Sequence, residues 1–543
     1  MRVRIHSPLR LVTVTVLPVL VTAAWATPAS AVSFATHHDF STGASSSPRE
    51  VAVADFNGDG YRDLATADAG TNGVSVLLND GTATSTSVGF STPAFYATGA
   101  TPYGVAAGDL NGDGIVDLVV ANEGGNSVSV LLGKGDGSFA VQPAIALSSS
   151  SSYGPRNAVI ADLNGDGKND VATENQNDDS VSLLINTTSP WPGTSAGTVS
   201  FYTDPASGFP PDYATGTVPY GLRAADFNGD GRVDLATANS YCRDSTGART
   251  TSTACGLDSN SVSILLNNGS GDPLALFAPA SDYATDRNPR GLAVGDFNED
   301  KTTLDPTKPA LDIATANFDV NSVSILLNDG SGGFPSHSEI SSSTWPRSDA
   351  VGDFNGASGS GDGHADLAVA NQNSSTLNLY LGTGTGSFGD GAGHSGVAAG
   401  TYATGGGPFW VAAGDLNKDG REDAVTANYL DDTVSVLLNN TPPPDFSLSL
   451  SPASASVARG SSVRFTVGIA RTGSFGGAVH LTVSGLPTGA SASFNPNDTT
   501  GGSSTLTIGT SSSTKPGGYT FTVTGTSGGL THTVSGQLNV KRK

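Results

Sequence analysis

One nine-residue pattern, Asp-x-Asn-x-Asp-Gly-x-x-Asp, recurs along this 543-residue chain. A short Ala/Val/Gly-rich strand precedes each copy, and Leu-Ala-Thr-Ala-Asn and Ser-Val-Ser-Val-Leu-Leu-Asn segments follow it. Alternation and β-branching give each repeat four strand signals. The first Asp of the pattern falls at Asp55, Asp109, Asp162, Asp226, Asp296, Asp353 and Asp415. A unit of four short strands is typical of a β-propeller blade, and seven units predict seven blades.

Closure of the ring separates a propeller from a solenoid, the alternative architecture for such repeats. The seventh repeat stops after three strands, at Asn439, and three prolines follow at 442–444. A strand signal at Ser33–Phe40 precedes the first repeat. We therefore expect an all-β, seven-bladed propeller over residues 32–440. Its last blade would be completed by the N-terminal strand, which leaves no open sheet edge.

The chain changes character after the prolines. Residues 441–445 form a Pro-rich linker, and the Asp loops stop there. About seven short alternating strands follow within 446–541, which suits a small Ig-like β-sandwich. Neither a Cys pair nor a buried-Trp signature accompanies them.

Residues 1–31 have the features of a secretory signal peptide. Arg2, Arg4 and Arg10 form a basic start, 11–24 is apolar, and Ala29-Ser30-Ala31 is a small-x-small cleavage site. A membrane-spanning helix is the alternative, but the apolar stretch is short for a span. We expect a secreted, extracellular, monomeric protein without membrane insertion.

The two cysteines of the chain are Cys242 and Cys255. An even pair in an exported chain predicts one disulfide, worth ~3 kcal/mol in the chain-entropy model for so short a loop. Two unpaired thiols are the alternative. Both flank a Ser/Thr/Gly-rich insertion in the fourth repeat.

The composition excludes some partners. Asp and Glu number 49 against 26 Lys and Arg, for a net charge of −23, which argues against binding to nucleic acid or anionic membranes. Most of the excess lies in the repeated loops, with three Asp in each. Acidity is therefore weak evidence for a basic partner.

The loops predict calcium sites. Side-chain oxygens stand at positions 1, 3, 5 and 9, and a Gly at position 6 permits the sharp turn. An all-oxygen set suits Ca²⁺, and the missing Glu at position 12 and the flanking strands distinguish the loop from an EF-hand. The alternative is a set of plain Asx-rich turns. The five intact sets are Asp55, Asn57, Asp59, Asp63; Asp109, Asn111, Asp113, Asp117; Asp162, Asn164, Asp166, Asp170; Asp226, Asn228, Asp230, Asp234; and Asp415, Asn417, Asp419, Asp423.

Two further copies are altered. The fifth has Asp296, Asn298 and Asp300, but Lys301 replaces the Gly and the closing Asp312 arrives late. Its added positive charge makes calcium binding doubtful. The sixth has an insertion between Asp353 with Asn355 and Asp362 with Asp366, which can loop out and leave the site intact. We expect five calcium ions and at most seven.

The loops, together with Gly-x-Gly-x-Phe turns such as Gly135–Phe139, resemble the FG-GAP or VCBS repeat of exported propellers and of the integrin alpha-subunit head. The resemblance covers Ser33–Asn439 and implies a seven-bladed propeller with calcium on one face. It does not fix a function, because such propellers include adhesion receptors, lectin-like binders and domains attached to enzymes. The C-terminal segment resembles bacterial Ig-like modules through Phe446-Ser-Leu-Ser-Leu and Gly485-Leu486-Pro487.

A second regularity marks the face opposite the loops. A Pro stands seven residues before the first loop Asp in every repeat, and Arg or an aromatic residue follows it. Arg and aromatic side chains together suit carboxylates, sulfates and sugar rings. The alternative is structural packing between blades. The predicted ligand-binding residues are Arg49, Tyr103, Arg156, Tyr220, Arg290, Trp345, Arg347, Phe409 and Trp410.

No catalytic residues are identified. The histidines do not recur in register, and the two Gly-x-Ser-x-Gly segments lie in Gly/Ser/Thr-rich stretches without a following helix. The favoured function is an extracellular module that binds a glycan or protein ligand, in part through anionic groups. A calcium-stiffened structural or adhesion scaffold is the second hypothesis, and a polysaccharide-acting enzyme is the third.

Overall fold

The computed structural model describes residues 32–542 except 83, 85–86, 149–152, 190, 192–196, 205, 244–248, 251–259, 356–362, 391–394, 442–444 and 473–474. The predicted signal peptide and the three linker prolines therefore lie outside the described residues. Strands and turns make up the described part, which contains no helix able to cross a membrane. The all-β prediction is confirmed.

Seven antiparallel sheets follow the seven repeats, and we number them 1 to 7 in the order of the Asp loops. Each Asp loop joins the first and second strands of its sheet. The strands of sheets 1 to 3 are Pro48–Ala54, Asp63–Asp68, Gly73–Leu77 and Ala94–Ala97; Pro102–Gly108, Asp117–Asn122, Ser127–Gly133, Phe139–Val141 and Ile145–Ala146; and Pro155–Ala161, Asp170–Asn175, Ser180–Leu184 and Asp212–Ala214.

The later repeats fold in the same way. The strands of sheets 4 to 6 are Pro219–Ala225, Asp234–Asn239, Ser261–Leu265 and Ser281–Ala284; Ala293–Gly295, Asp312–Asn317, Ser322–Leu326 and His337–Ser341; and Pro346–Gly352, Asp366–Asn371, Thr376–Gly382, Phe388–Gly389 and Gly400–Ala403. A separate hairpin of Cys242–Arg243 and Arg249–Thr250 lies in the fourth repeat.

The N-terminal strand closes the ring, as the sequence predicted. Sheet 7 contains Pro408–Gly414, Asp423–Asn428 and Thr433–Leu437, and its fourth strand is His38–Ser41. His38 pairs with Val436 and Ser41 with Thr433. The first strands contact one another in the order of the sheets, and that of sheet 7 contacts that of sheet 1.

Two faces and an axis follow from this arrangement. The first strand of every sheet lines the axis and runs toward its Asp loop, and in six of the seven sheets it begins at the Pro. We call the end that carries the loops the loop face and the opposite end the mouth face. Apolar residues between neighbouring sheets form the core, for example Phe56 and Val76 of sheet 1 against Leu118 and Phe139 of sheet 2.

The C-terminal segment is a two-sheet sandwich. One sheet has the order Asp445–Ser451, Ser462–Thr472, Ser503–Thr510, Ala490–Asn495. The other has the order Ser454–Ala458, Leu530–Lys541, Gly517–Ser527, Val479–Ser484, Asp498–Thr499. Phe446, Phe465 and Phe521 lie in the core between them. Sequence patterning missed the short strands Ser454–Ala458 and Asp498–Thr499, and the Ig-like assignment stays a prediction.

Candidate functional site

Backbone amides shape each Asp loop. In the first loop Asp55 accepts hydrogen bonds from the amides of Gly58 and Gly60, both at 2.7 Å. Asn57 Oδ1 accepts from Asp59 N at 2.9 Å, and Asp59 Oδ1 accepts from Tyr61 N at 2.7 Å. Gly60 has φ 83°, a left-handed conformation that favours Gly. The side chains at positions 1, 3 and 5 therefore curl around one turn of backbone.

The closing Asp of each loop is a buried link to the third strand. Asp63 is fully buried, and its two carboxylate oxygens accept from Phe56 N and Asn79 N, both at 2.8 Å. Burial, with a smaller contribution from the carboxylates of Asp59 and Asp55, raises the pKa of Asp63 to about 6. The closing residues of the other loops make the equivalent two bonds, and burial raises the pKa of five of them to about 7: Asp117, Asp170, Asp234, Asp312 and Asp423.

The oxygen atoms of each loop are ligands of the kind that calcium prefers, but their carboxylates, where the structure describes them, are not yet close enough together to surround an ion. Every side chain in the set offers oxygen, and each carboxylate oxygen that accepts one amide retains a second lone pair. Among the described residues, however, no three carboxylate or imidazole groups lie close enough to make a ready-made metal cage. Calcium binding would draw the carboxylates of positions 1, 5 and 9 together.

Side-chain cations already contact some of the loops. Lys308, from the insertion in the fifth repeat, places Nζ 2.8 Å from Asp226 Oδ2 in the fourth loop. Arg232 in that loop contacts Asp230. In the fifth loop Lys301 Nζ lies 3.8 Å from Asp296 Oδ2, as its added charge suggested. The fourth loop has the complete motif, yet the Lys308 ammonium group of the next repeat already contacts its first Asp.

The altered loops retain their closing link. In the sixth, Asp366 Oδ2 accepts from Phe354 N at 2.8 Å and Asn355 N at 3.2 Å despite the insertion. Asp362 lies outside the described residues. In the fifth loop, the buried Asp300 Oδ1 has no hydrogen-bond partner. Asp312 and Asp366 therefore keep the hydrogen bonds of a closing Asp despite the insertions in their loops.

The structure brings the predicted mouth residues together on the axis. Tyr103 OH donates to Tyr220 OH at 2.5 Å, and Arg347 Nη2 donates to Tyr103 OH at 3.0 Å and also to Tyr220 OH. The ring of Tyr103 packs edge-on against Phe409, with centroids 5.4 Å apart. These residues come from sheets 2, 4, 6 and 7, so the contacts cross the axis.

Guanidinium groups stack on the aromatic rings of this cluster. The Arg156 Cζ lies 4.2 Å from the Tyr220 centroid, and the Arg347 Cζ lies 3.3 Å from the Phe409 centroid. Arg49 lies 4.8 Å from the Tyr103 centroid. Such cation–π contacts gain strength when they are desolvated. We call the set Arg49, Tyr103, Arg156, Tyr220, Arg290, Arg347 and Phe409 the axial cluster.

The axial cluster is closed rather than an open ring. Arg156, Arg290 and Arg347 are only 8%, 8% and 6% exposed, and the aromatic members are buried. Trp410 is buried as well, whereas Trp345 is 46% exposed. These residues lie at the mouth end of the first strands, and most of them form a buried plug rather than an exposed surface.

Electrostatics within the plug is dominated by arginine. Burial would raise the pKa of Tyr220, but Arg156, Arg347 and Arg290 together lower it to about 7. Burial raises the pKa of Tyr103. Tyr220 OH therefore accepts hydrogen bonds from both Tyr103 OH and Arg347, and Tyr103 OH accepts a second bond from Arg347.

The loops between second and third strands supply partners that the sequence analysis missed. Glu123 pairs with Arg156 at 2.7 Å, and Gln372 Oε1 accepts from Arg347 Nη1 at 3.1 Å. The Phe318 centroid lies 3.6 Å from Arg290 Cζ. The sequence does contain a pattern that marks these partners. Each of the three directly follows the Asn that ends a second strand, and so does Tyr429, which lies beside Arg49.

Those Asn residues are structural. Asn122 is buried, and its Nδ2 donates to Ser127 Oγ at 3.2 Å and Ser129 Oγ at 3.0 Å on the third strand. Asn175, Asn239, Asn317 and Asn428 bond third-strand hydroxyl groups in the same way. They hold the turn and do not face solvent.

Trp345 forms an exposed aromatic platform on the mouth face. Its ring stacks on Phe318 with centroids 5.2 Å apart and an interplanar angle of 27°. Asn321 Oδ1 accepts from its backbone amide at 2.9 Å, and its carbonyl accepts from Gln372 N at 2.9 Å. The residue at this position has a positive φ in all seven sheets, and Trp345, at 59°, has the bulkiest side chain there.

The predicted disulfide remains a prediction. Cys242 begins a short strand that pairs with Arg249–Thr250. Cys255 lies outside the described residues. The hairpin sits in the loop between the second and third strands of sheet 4, on the mouth face.

The fold defines an all-β propeller with a C-terminal sandwich. A family profile described as "FG-GAP-like repeat" matches residues 55–120, 109–173 and 360–426. The chain therefore carries FG-GAP-like repeats, as its loops predicted. A search of curated protein sequences gives no significant match.

Solved structures resemble the chain only loosely. A complex of BBS1N with ARL6DN matches with a TM-score of 0.46 and 11% identity, covering 76% of this chain and 99% of that one. A humanized mutant of the Chaetomium thermophilum Polycomb Repressive Complex 2 gives 0.46 and 9%, covering 77% and 99%. The S-layer protein SbsC domains 4 and 5 give 0.16 and 22%, covering 22% and 64%. At these scores the likenesses carry no functional argument.

Proposed function

We propose that this protein is an exported, calcium-binding β-propeller that binds an extracellular ligand on its mouth face. The ligand is a glycan, or a protein, with anionic groups. The observation that carries the proposal is the exposed Trp345, stacked on Phe318, which itself lies against Arg290. A fixed aromatic surface beside guanidinium groups suits a sugar ring that bears a carboxylate or sulfate.

Calcium on the loop face supports the shape of the mouth face from a distance. Each closing Asp ties the start of its loop to the end of the third strand, so the loop sets the position of three strands. Metal at positions 1, 3, 5 and 9 would neutralise carboxylates that raise one another's pKa. Calcium therefore serves stability in this proposal, and the mouth face serves recognition.

A structural or adhesion scaffold is the second candidate. The observation that favours it is the burial of Arg156, Arg290 and Arg347, whose groups are largely used within the axial cluster. A scaffold needs the same plug and the same loops but no platform. Trp345 is thus the residue at which the two candidates differ.

A glycan array and a panel of extracellular matrix proteins test the proposal with the calcium-loaded full chain. Trp345→Ala should lower the affinity for the selected ligand at least about tenfold, because an exposed Trp at a binding centre is a typical hot spot. Trp191→Ala is the matched control, since Trp191 contacts Lys168 in the third sheet rather than the axial cluster. A ligand that binds wild type and Trp345→Ala equally, or the absence of any ligand, would favour the scaffold.

A further inference from the structure

Arg223 is the one charged residue at its level of the channel wall. It stands four residues after the first-strand Pro of sheet 4. The other six sheets have small apolar residues in this position: Ala52, Ala106, Val159, Ala293, Ala350 and Ala412. A single long cationic side chain among them is a departure from the repeat.

The side chain of Arg223 crosses the axis. Its Cζ lies 5.2 Å from the ring centroid of Trp410, which belongs to sheet 7. Burial raises the pKa of Glu50 in sheet 1 and of Asp349 in sheet 6 to about 8, and the Arg223 charge offsets part of this rise at both groups. Sheets 7 and 1 lie across the ring from sheet 4, and sheet 6 is two sheets away from it. The guanidinium therefore lies within the channel and not against its own wall.

The channel is closed on one side of Arg223 and open on the other. The axial cluster seals the mouth side with buried side chains. Toward the loop face the ends of the first strands are partly exposed and small, as in Ala106–Gly108, Ala224–Ala225 and Ala412–Gly414. Exposure along the first strands therefore increases from the buried mouth side to the loop face, and Arg223 is the first partly exposed residue of its strand.

Several polar atoms at this closed end have no hydrogen-bond partner, although Glu50 there accepts from Asn157 Nδ2 at 2.9 Å and from Val105 N at 3.2 Å. Arg223 is partly exposed, and Nη1 donates to its own neighbour's carbonyl, Leu222 O, at 2.8 Å. Within the described residues it forms no ion pair, unlike Arg156 and Arg421. Both carboxylate oxygens of Asp349 are fully buried without a hydrogen-bond partner. Burial raises the pKa of Asp349 to about 8, which favours its neutral carboxyl form near neutral pH.

We propose that the axial channel is a dead-end binding site for a small monoanion, such as a short carboxylate, that enters from the loop face and ends on Arg223. A guanidinium group offers paired N–H donors that match a carboxylate. The Ala, Gly and Val wall admits a narrow ligand and gives it apolar contact. This site is separate from the mouth face, and its existence does not depend on the proposed ligand there.

Quenching of Trp410 fluorescence tests access and charge preference together. In the full chain, Trp25→Phe, Trp191→Phe and Trp345→Phe leave Trp410, the aromatic partner of Arg223, as the reporter. At pH 6.5, iodide should quench Trp410 more than caesium does. Arg223→Gln should lower the iodide quenching constant at least about threefold, because one unit charge sits beside the reporter. Quenching by neutral acrylamide should not change, and Arg223→Lys should restore most of the iodide effect.

A second variant and a second probe keep the test independent of folding defects. Ala412→Glu puts a carboxylate at the same level of sheet 7, where it can pair with Arg223, and should abolish the preference for iodide. Trifluoroacetate should show fluorine line broadening with wild type and not with Ala412→Glu. Equal quenching by iodide and caesium in the wild-type background, or an unchanged iodide constant in Arg223→Gln and Ala412→Glu, would overturn the proposal.

Discussion

The N-terminal segment before the first repeat is expected to act as a closing element of the ring rather than as a dispensable tail. Phe34 is 8% exposed and packs against Tyr402 and Phe354, with centroids 4.9 and 5.9 Å away. The backbone on either side is also held: Ala35 N donates to Leu438 O, and Asn440 N donates to Ser33 O, both at 2.8 Å. Phe34→Ala would open a cavity at the seam of sheets 6 and 7.

The expected loss follows from this burial. Replacing a buried Phe by Ala destabilises a domain by ~3–5 kcal/mol, and the lower end, ~3 kcal/mol, applies because the site is slightly exposed. Phe95→Ala is the matched control, since Phe95 is 52% exposed in the fourth strand of sheet 1. It should lose less than ~1 kcal/mol.

Urea unfolding followed by tryptophan fluorescence measures the propeller alone, because no Trp lies beyond residue 410. Phe34→Ala should lower the midpoint at saturating calcium with little change in slope. Deletion of 32–41 should lower it further and expose the edge of Thr433–Leu437. Equal midpoints for Phe34→Ala and Phe95→Ala would refute the closing role.

Three further outcomes are expected. Chelation by EGTA should lower the melting temperature of the propeller but not of 446–541, since each loop with a Kd near ~10⁻⁴ M gains ~1.4 kcal/mol at about 1 mM calcium. Lys308→Gln should raise the calcium affinity of the fourth loop roughly threefold in calorimetric titrations, because an ammonium group no longer competes at Asp226, while Lys515→Gln should not. Burial raises the pKa of Glu174 to about 8, so the folded chain holds a proton there that the unfolded chain loses above about pH 4.5. The contribution of Glu174 to the free energy of unfolding should therefore fall as pH rises from about 4.5 to about 8. In urea titrations at pH 9, Glu174→Gln should be more stable than wild type by ~1 kcal/mol or more, because Gln keeps an acceptor for Asn157 N and carries no charge.

The propeller could be predicted from the sequence because its determinants are local. Each repeat carries its own turn residues, its strand alternation and its closing Asp. The link from Asp63 to Asn79, for instance, spans only 16 positions. The addition of the N-terminal strand to sheet 7 was also predictable, because the last repeat has three strand signals and a fourth lies before the first repeat.

The axial cluster could not be predicted in the same way. Alternation along a first strand shows which face a residue lies on, but it does not show how far a side chain reaches across the axis. The bond from Arg347 to Tyr103 joins positions 244 apart, and that from Tyr103 to Tyr220 joins positions 117 apart. From sequence, the arginines are available to a ligand. In the structure, removal of Arg347 leaves two buried phenol groups short of a donor and should destabilise the propeller.

The contact of Lys308 with the fourth loop was missed for a related reason. In the sequence Lys308 lies among the extra residues between Lys301 and Asp312, and no pattern there indicates a contact with another repeat. The structure shows that the insertion extends over the neighbouring repeat and reaches Asp226, 82 positions earlier. Insertions in a ring of repeats act on the adjacent blade, and a motif can be intact by sequence and still be contacted by a foreign cation.

The buried arginines also explain how an exposed Trp can be held still. Arg290 stacks on Phe318, Phe318 stacks on Trp345, and Asn321 and Gln372 hold the Trp345 backbone. Each member of this series loses its side-chain freedom when the propeller folds. A ligand that stacks on Trp345 therefore orders little further, and preorganisation of this kind raises affinity mainly by lowering the entropic cost of association. The plug and the platform are thus mechanically connected: the buried Arg290 holds Phe318, and Phe318 holds the exposed ring of Trp345.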